Sequence, residues 1–204
     1  MASVVLAGLI INNAIRRSNV RSKKTKDEFW ERERSSYLAP DRSTDDLEFV
    51  VFPPDLPMDI DTGDPVTEEY QETLRVLSKE KVLNLSGITN TDIRLSYGKG
   101  NLPELSKADS RFITLLRTLN SVASGYIKAG YKEEGEKLLT FAVSLGSDIR
   151  DSWRMLGELY LLRDDDAALS DLIKKAEALD SPKKEGVLKD LRSLSSLSDI
   201  VNVS

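Results

Sequence analysis

The sequence predicts an all-α fold, a stack of antiparallel helix pairs with an N-terminal helix and a short extended segment ahead of it. Three observations predict it. Trp153, Leu156, Gly157 and Tyr160 stand in the order W-x2-L-G-x2-Y, which puts the three large side chains on one helical face at i, i+3 and i+7, beside a residue with no side chain. The same alternation stands 34 residues upstream, where Leu119, Val122, Ala123 and Tyr126 occupy the matching places. In the following helix of each copy, Leu139 matches Ile173, Ala142 matches Ala176 and Leu145 matches Leu179. A small residue kept between large ones lets a neighbouring helix approach closely.

A helix of this pattern recurring at 34 residues resembles the tetratricopeptide (TPR) family. The resemblance covers residues 116–183, about two units, and closes on Ser181-Pro182, a cap followed by proline at the first helical position. It is degenerate: Gly135 and Leu169 stand where the family prefers alanine at the start of the second helix. The resemblance implies a right-handed α-solenoid acting as a non-enzymatic protein–protein interaction module. In such proteins the exposed positions of each first helix line the ligand groove. Carried over by position, these are Arg117, Asn120, Ser124 and Lys128 from the first unit and Arg154, Glu158 and Leu161 from the second. Such a wall, polar and partly cationic, suits a carboxylate or an acidic peptide. The plainer alternative is that these are solvated helix-face residues. A second functional class, a structural subunit of a homo- or hetero-oligomer, uses the same stack without the groove.

At 204 residues, 40% hydrophobic and 31% charged, the chain can bury a core of ordinary size. A net charge of -5 argues against a general nucleic-acid binder, which carries a basic surface. The chain contains neither cysteine nor histidine, which removes disulfides, thiol and Ser-His nucleophiles and the ordinary zinc sites. No cofactor or metal is expected.

Composition divides the chain at 1–36, 37–65 and 66–204. Residues 3–11 are apolar but fall short of the roughly 20 residues that span a bilayer, and they lack the flanks of a cleavable signal. Arg16, Arg17, Arg21, Lys23, Lys24 and Lys26 follow with no acid among residues 16–26. An apolar start before a basic cluster resembles the end of a membrane anchor whose downstream side is cytoplasmic, or equally a short interfacial helix that lays residues 1–26 on an anionic membrane surface; the alternative is an apolar helix that docks on the protein or frays. A charged helix is expected over 22–36, with Phe29 and Trp30 packed on the body; a place at a membrane interface is the alternative. Residues 39–69 hold five of the seven prolines and ten acids against one base, Arg42, the composition of a linker. Within it, 47–52 is apolar and β-prone, so a short extended segment is expected, and residues 47–58 are too apolar to stay in water. Residues 47–58 are expected to pack on the helical body, as a structural strap away from the groove or as a pseudo-ligand that occludes it. Helices are expected from Glu68, over a short segment capped by Asn90-Thr91-Asp92, from about Ser106 or Ala108 to Ala129, and over 132–145, 149–163, 167–179 and 183–197. The last, with Val187, Leu188, Leu191, Leu194 and Leu197, leaves the repeat and reads as a terminal cap.

The chemical motifs fail on inspection. Asp59-Ile60-Asp61-Thr62-Gly63-Asp64 begins like a calcium loop, but the positions requiring Gly and Glu hold Asp64 and Tyr70. Tyr97-Gly98-Lys99-Gly100 lacks the earlier glycine and the Ser/Thr of a P-loop. Ser-x-x-Lys occurs three times, at Ser78, Ser96 and Ser181, a chance frequency. Asp164-Asp165-Asp166 reads as a solvated turn.

Overall fold

The computed structural model describes residues 25–201, with side chains through Ser196. The apolar start and the basic cluster up to Lys24, and the side chain of Leu197, lie outside these residues. Every regular element described is a helix: α1 (25–38), α2 (Pro65–Leu77), α3 (Asn90–Tyr97), α4 (Leu102–Lys128), α5 (Lys132–Ser144), α6 (Arg150–Leu162), α7 (Asp166–Glu177) and α8 (Lys184–Val201). The chain is all-α, as its periodicities predict.

Several boundaries move for local reasons. The helix expected from Glu68 begins at Pro65, because the Asp64 carboxylate accepts from the Val66 and Thr67 amides and proline suits the first helical position. Asp64 is held below the usual carboxylate range by the Thr67 hydroxyl first of all. The cap of α3 is Thr89 rather than Asn90-Thr91-Asp92. Thr89 and Asp92 exchange side-chain and backbone hydrogen bonds in a capping box. The long helix starts at Leu102, not at Ser106, with Pro103 in the first turn, where its missing N–H costs nothing. The apolar stretch 47–52 forms no strand.

The chain folds into two compact units, one of residues up to Glu48 with Leu85–Ala108, the other of Phe49–Asn84 with the residues from Asp109 onward. Neither follows the compositional divisions at 36 and 65, since the smaller unit joins segments that are distant in sequence. It fastens α1 to α3 through a largely buried ion pair, Arg94 to Glu33 at 2.7 Å. Arg94 also donates to the Ser36 hydroxyl at 2.9 Å and lies 4.4 Å from the centre of the Tyr37 ring. Arg32 pairs with Asp92 alongside. After α1, the Arg42 amide donates to the Tyr97 carbonyl at 3.1 Å and the Gly100 amide to the Asp41 carboxylate at 2.8 Å.

In the larger unit one apolar core runs from Leu56 through Leu74, Leu115, Leu119, Tyr126, Leu139 and Trp153 to Leu191. Helix α5 packs on α6, α6 on α7, and α8 covers both α6 and α7. The matched positions lie inside: Leu119, Val122, Ala123 and Tyr126 are buried in α4, and Trp153, Leu156 and Gly157 in α6, with Tyr160 half-buried. A Cβ on Gly157 would stand 2.9 Å from both Leu191 and Leu194 of α8, so the close approach expected there is real. The turn from α4 to α5 and the turn from α6 to α7 are hydrogen-bonded alike. The Tyr131 amide donates to the Tyr126 carbonyl at 2.8 Å, and the Asp165 amide to the Tyr160 carbonyl at 3.0 Å. Gly130 and Asp164 both have positive φ, at 95° and 54°. At the next turn Ser147 accepts from the Ile149 amide and Ser181 from the Lys183 amide, each at 3.2 Å. All of these pairs are 34 residues apart.

Residues 49–60 cross the larger unit as an irregular strap. The Val50 amide donates to the Val82 carbonyl at 2.8 Å, the Phe52 ring lies 5.7 Å from that of Phe141, and Leu56 is buried in the core. The strap's end is tied to α2, where the Gln71 amide donates to the Ile60 carbonyl at 2.7 Å and to the Tyr126 hydroxyl at 3.1 Å. Burial pushes the Tyr126 phenol up to about 12. In the unfolded chain this group ionises near pH 10, so above that pH the folded state holds a proton the unfolded state has lost. Stability present below pH 10 therefore declines as pH rises toward 12, by about 2–3 kcal/mol for this group. Tyr126→Phe is expected to remove that part of the decline, read from urea midpoints at pH 8, 10 and 11.

Candidate functional site

Two open clefts stand out among those formed by the described residues of the larger unit. One, of about 560 Å³, is lined by Tyr70, Thr73, Thr114, Arg117, Thr118, Asn120, Ser121 and Ile149. Helical spacing assembles it. Thr114, Arg117, Thr118 and Ser121 stand at i, i+3, i+4 and i+7 on one face of α4, and Tyr70 and Thr73 one turn apart on α2. Helix α2 is held against α4 by the Gln71–Tyr126 hydrogen bond and by Thr67, which lies directly over Gly125. Ile149, the N-cap residue of α6, closes the other side.

The chemistry of this cleft is one-sided. Five hydroxyls, one carboxamide and one guanidinium line it, and no carboxylate does. Arg117 is exposed and has no ion-pair partner among the described residues. Asn120 accepts from the Ser152 hydroxyl at 2.9 Å, a contact that orients its side chain across from α6. The Thr73 and Thr114 hydroxyls donate to the Glu69 and Ser110 carbonyls of their own helices, at 3.1 and 3.0 Å, which leaves the Asn120 amide, the Tyr70 and Ser121 hydroxyls and the unpaired Arg117 guanidinium to donate to an anion.

Of the seven residues carried over from the repeat, the structure brings Arg117 and Asn120 together in this cleft. Ser124 is half-buried farther along α4, and Lys128 is exposed in its last turn, where its charge adds to the lowering of the Asp64 pKa. Arg154 is engaged within α6, at 2.6 Å from Glu158 and 3.3 Å from Asp151, so both Arg154 and Glu158 spend their charge on each other. Leu161 is half-buried and outside the lining. The position-by-position transfer missed Tyr70, Thr73, Thr114, Thr118, Ser121 and Ile149. Thr114 and Ser121 were findable by continuing the α4 face one turn either way from Arg117. Tyr70 and Thr73 belong to α2, outside the 34-residue register, and no local signal places them.

The second cleft, about 530 Å³, lies between the strap and α5, with Pro53, Leu56 and Phe141 among its apolar lining. Its rim mixes Asp55, Glu133 and Glu136 with Lys137 and Arg163. Arg163 is held by both oxygens of Glu136, at 2.6 and 3.0 Å. Among the described residues no cluster of acids suits a metal ion, and no helix is long and apolar enough to cross a membrane. Comparison with known protein families, with curated proteins and with solved structures gives no match.

Proposed function

We propose that the larger unit is a TPR-like interaction module that holds an acidic peptide segment of a protein partner in the cleft between α2 and α4, with Arg117 as its principal charged contact. The observation that carries this reading is the pairing of an unpartnered guanidinium with a hydroxyl-rich lining free of carboxylates. The 34-residue recurrence of turn hydrogen bonds supports the repeat part of the reading, and the burial of Leu119 and Trp153 at matching places supports it too. The cleft is walled by α2, α4 and the start of α6, and it holds two of the seven positions carried over from the repeat, Arg117 and Asn120. An extended acidic peptide fits an open cleft of this kind, with one carboxylate on Arg117 and backbone or side-chain acceptors on the hydroxyls.

Fluorescence polarisation with a library of labelled Asp/Glu-rich hexapeptides tests this reading against the same library with Asn/Gln in place of the acids. Acidic peptides are expected to bind and the neutral set to bind more weakly. Arg117→Glu is expected to weaken the acidic set by roughly tenfold or more, since it replaces an attraction by a repulsion. Binding that ignores both peptide charge and Arg117→Glu contradicts the proposal.

A further inference from the structure

Helix α1 offers a surface that the proposed peptide cleft does not use. The expectation that Phe29 and Trp30 pack on the body is not met: they are 55% and 60% exposed. Their rings touch edge to face with centroids 5.4 Å apart. Counting 100° per residue around α1, Phe29, Lys26, Trp30 and Arg34 fall within one sector of about 140°. Lys26 and Arg34 have no ion-pair partner among the described residues. The one acid within the sector, Glu33, is neutralised by Arg94. Asp27, Glu28 and Glu31 lie outside it. Tyr37, whose ring lies under Arg94 of α3, falls in the same sector, and Phe29 and Trp30 stand exposed one turn before the Glu33–Arg94 contact, flanked by two cations without ion-pair partners.

We propose that this face is a membrane-contact surface, with Phe29 and Trp30 seated in the headgroup layer of an anionic bilayer and Lys26 and Arg34 on its phosphates and carboxylates. Trp and Phe flanked by Lys and Arg are the side chains that favour a membrane–water interface. Arg16, Arg17, Arg21, Lys23 and Lys24 precede the helix with no acid among them, and each base near an anionic surface adds to the attraction. A protein partner fits less well. Two aromatic side chains supply at most roughly 500 Å², while a stable protein interface needs about 800 Å² from each side. This inference is independent of the peptide cleft, which belongs to the other compact unit.

The test uses the full-length protein and vesicles of phosphatidylcholine with or without about one-third phosphatidylserine, an anionic lipid. Trp153 is buried in the core, so a change in tryptophan emission on binding reports Trp30. With phosphatidylserine vesicles the emission is expected to shift to the blue and to be quenched by bromine-labelled lipid, and pure phosphatidylcholine to give neither. Phe29→Ser with Trp30→Ser is expected to weaken sedimentation with the anionic vesicles by roughly tenfold, and Lys26→Glu with Arg34→Glu to weaken it as well. Circular dichroism confirms that these exposed substitutions leave the fold intact. Vesicle binding unchanged by the aromatic pair of substitutions overturns the proposal, because residues 1–24 then act alone. Absence of a Trp30 shift overturns it too, as does a shift produced by self-association or a soluble protein in place of lipid.

Discussion

Trp153→Ala is expected to lower the unfolding free energy by about 3–5 kcal/mol, the largest single effect in the molecule. The indole is only 2% exposed, and its Nε1–H donates to the Ser147 carbonyl at 2.7 Å. Truncation leaves a cavity beside the first turn of α6 that the ring's neighbours in the core cannot fill without moving whole helices. It also leaves the Ser147 carbonyl, in a residue with no exposure, without its donor, which adds a desolvation cost. Trp153→Phe separates the two effects, keeping most of the apolar volume while losing the hydrogen bond, so a cost of about 1–2 kcal/mol is expected there. Trp30→Ala, at an exposed position, is expected to change stability by less than about 0.5 kcal/mol. Urea midpoints by circular dichroism, at unchanged slope, rank the three.

Gly98→Ala is the second large effect, and it falls in the smaller unit. Gly98 ends α3 with φ 85° and ψ 164°, its amide bonded back to Arg94. Only glycine adopts that region readily, and a side chain there costs about 1–3 kcal/mol in backbone strain. The space is closed as well. A Cβ would lie 2.5 and 2.7 Å from the Asp41 Cα and backbone nitrogen, and backbone does not swing aside as a side-chain tip does. A total near 2–5 kcal/mol follows from strain and overpacking together. The displaced segment carries the Arg42–Tyr97 hydrogen bond and the one from Asn101 to the Arg42 carbonyl, 2.9 Å. Hydrogen exchange at the Arg42 and Gly100 amides is therefore expected to accelerate. Gly146→Ala provides the contrast: φ is also positive, at 78°, but nothing lies within 4 Å of its Cβ. A cost of only about 1 kcal/mol is expected there.

The helical class and the positions of the buried residues were legible because they depend on spacing within 34 residues. Trp153, Leu156, Leu119 and Tyr126 carry their own periodicity, and a helix must bury that face somewhere. The apolar strap was legible for a similar reason: Phe52 and Leu56 are too hydrophobic to remain in an acidic, proline-rich stretch without cover. What escaped the sequence is long-range. Arg94 reads as one more surface arginine until α1 brings Glu33, Ser36 and Tyr37 around it from about 60 residues away. The cleft escaped in part for the same reason. Arg117 and Asn120 were accessible by position, but Tyr70 and Thr73 reach them only through the docking of α2, which Gln71 and Thr67 secure. Arg154 had the right position and the wrong neighbours, since Asp151 and Glu158 stand one turn to either side and occupy its guanidinium.

The central claim is that an acidic segment lies between α2 and α4. Titrating 15N-labelled protein with the tightest acidic hexapeptide tests it most directly, by following amide chemical shifts residue by residue. The account predicts saturable shifts at Tyr70, Thr73, Thr114, Arg117, Thr118 and Ser121 that vanish in Arg117→Glu. Shifts confined to Glu133–Ser144 of α5, or none on α4, would contradict it.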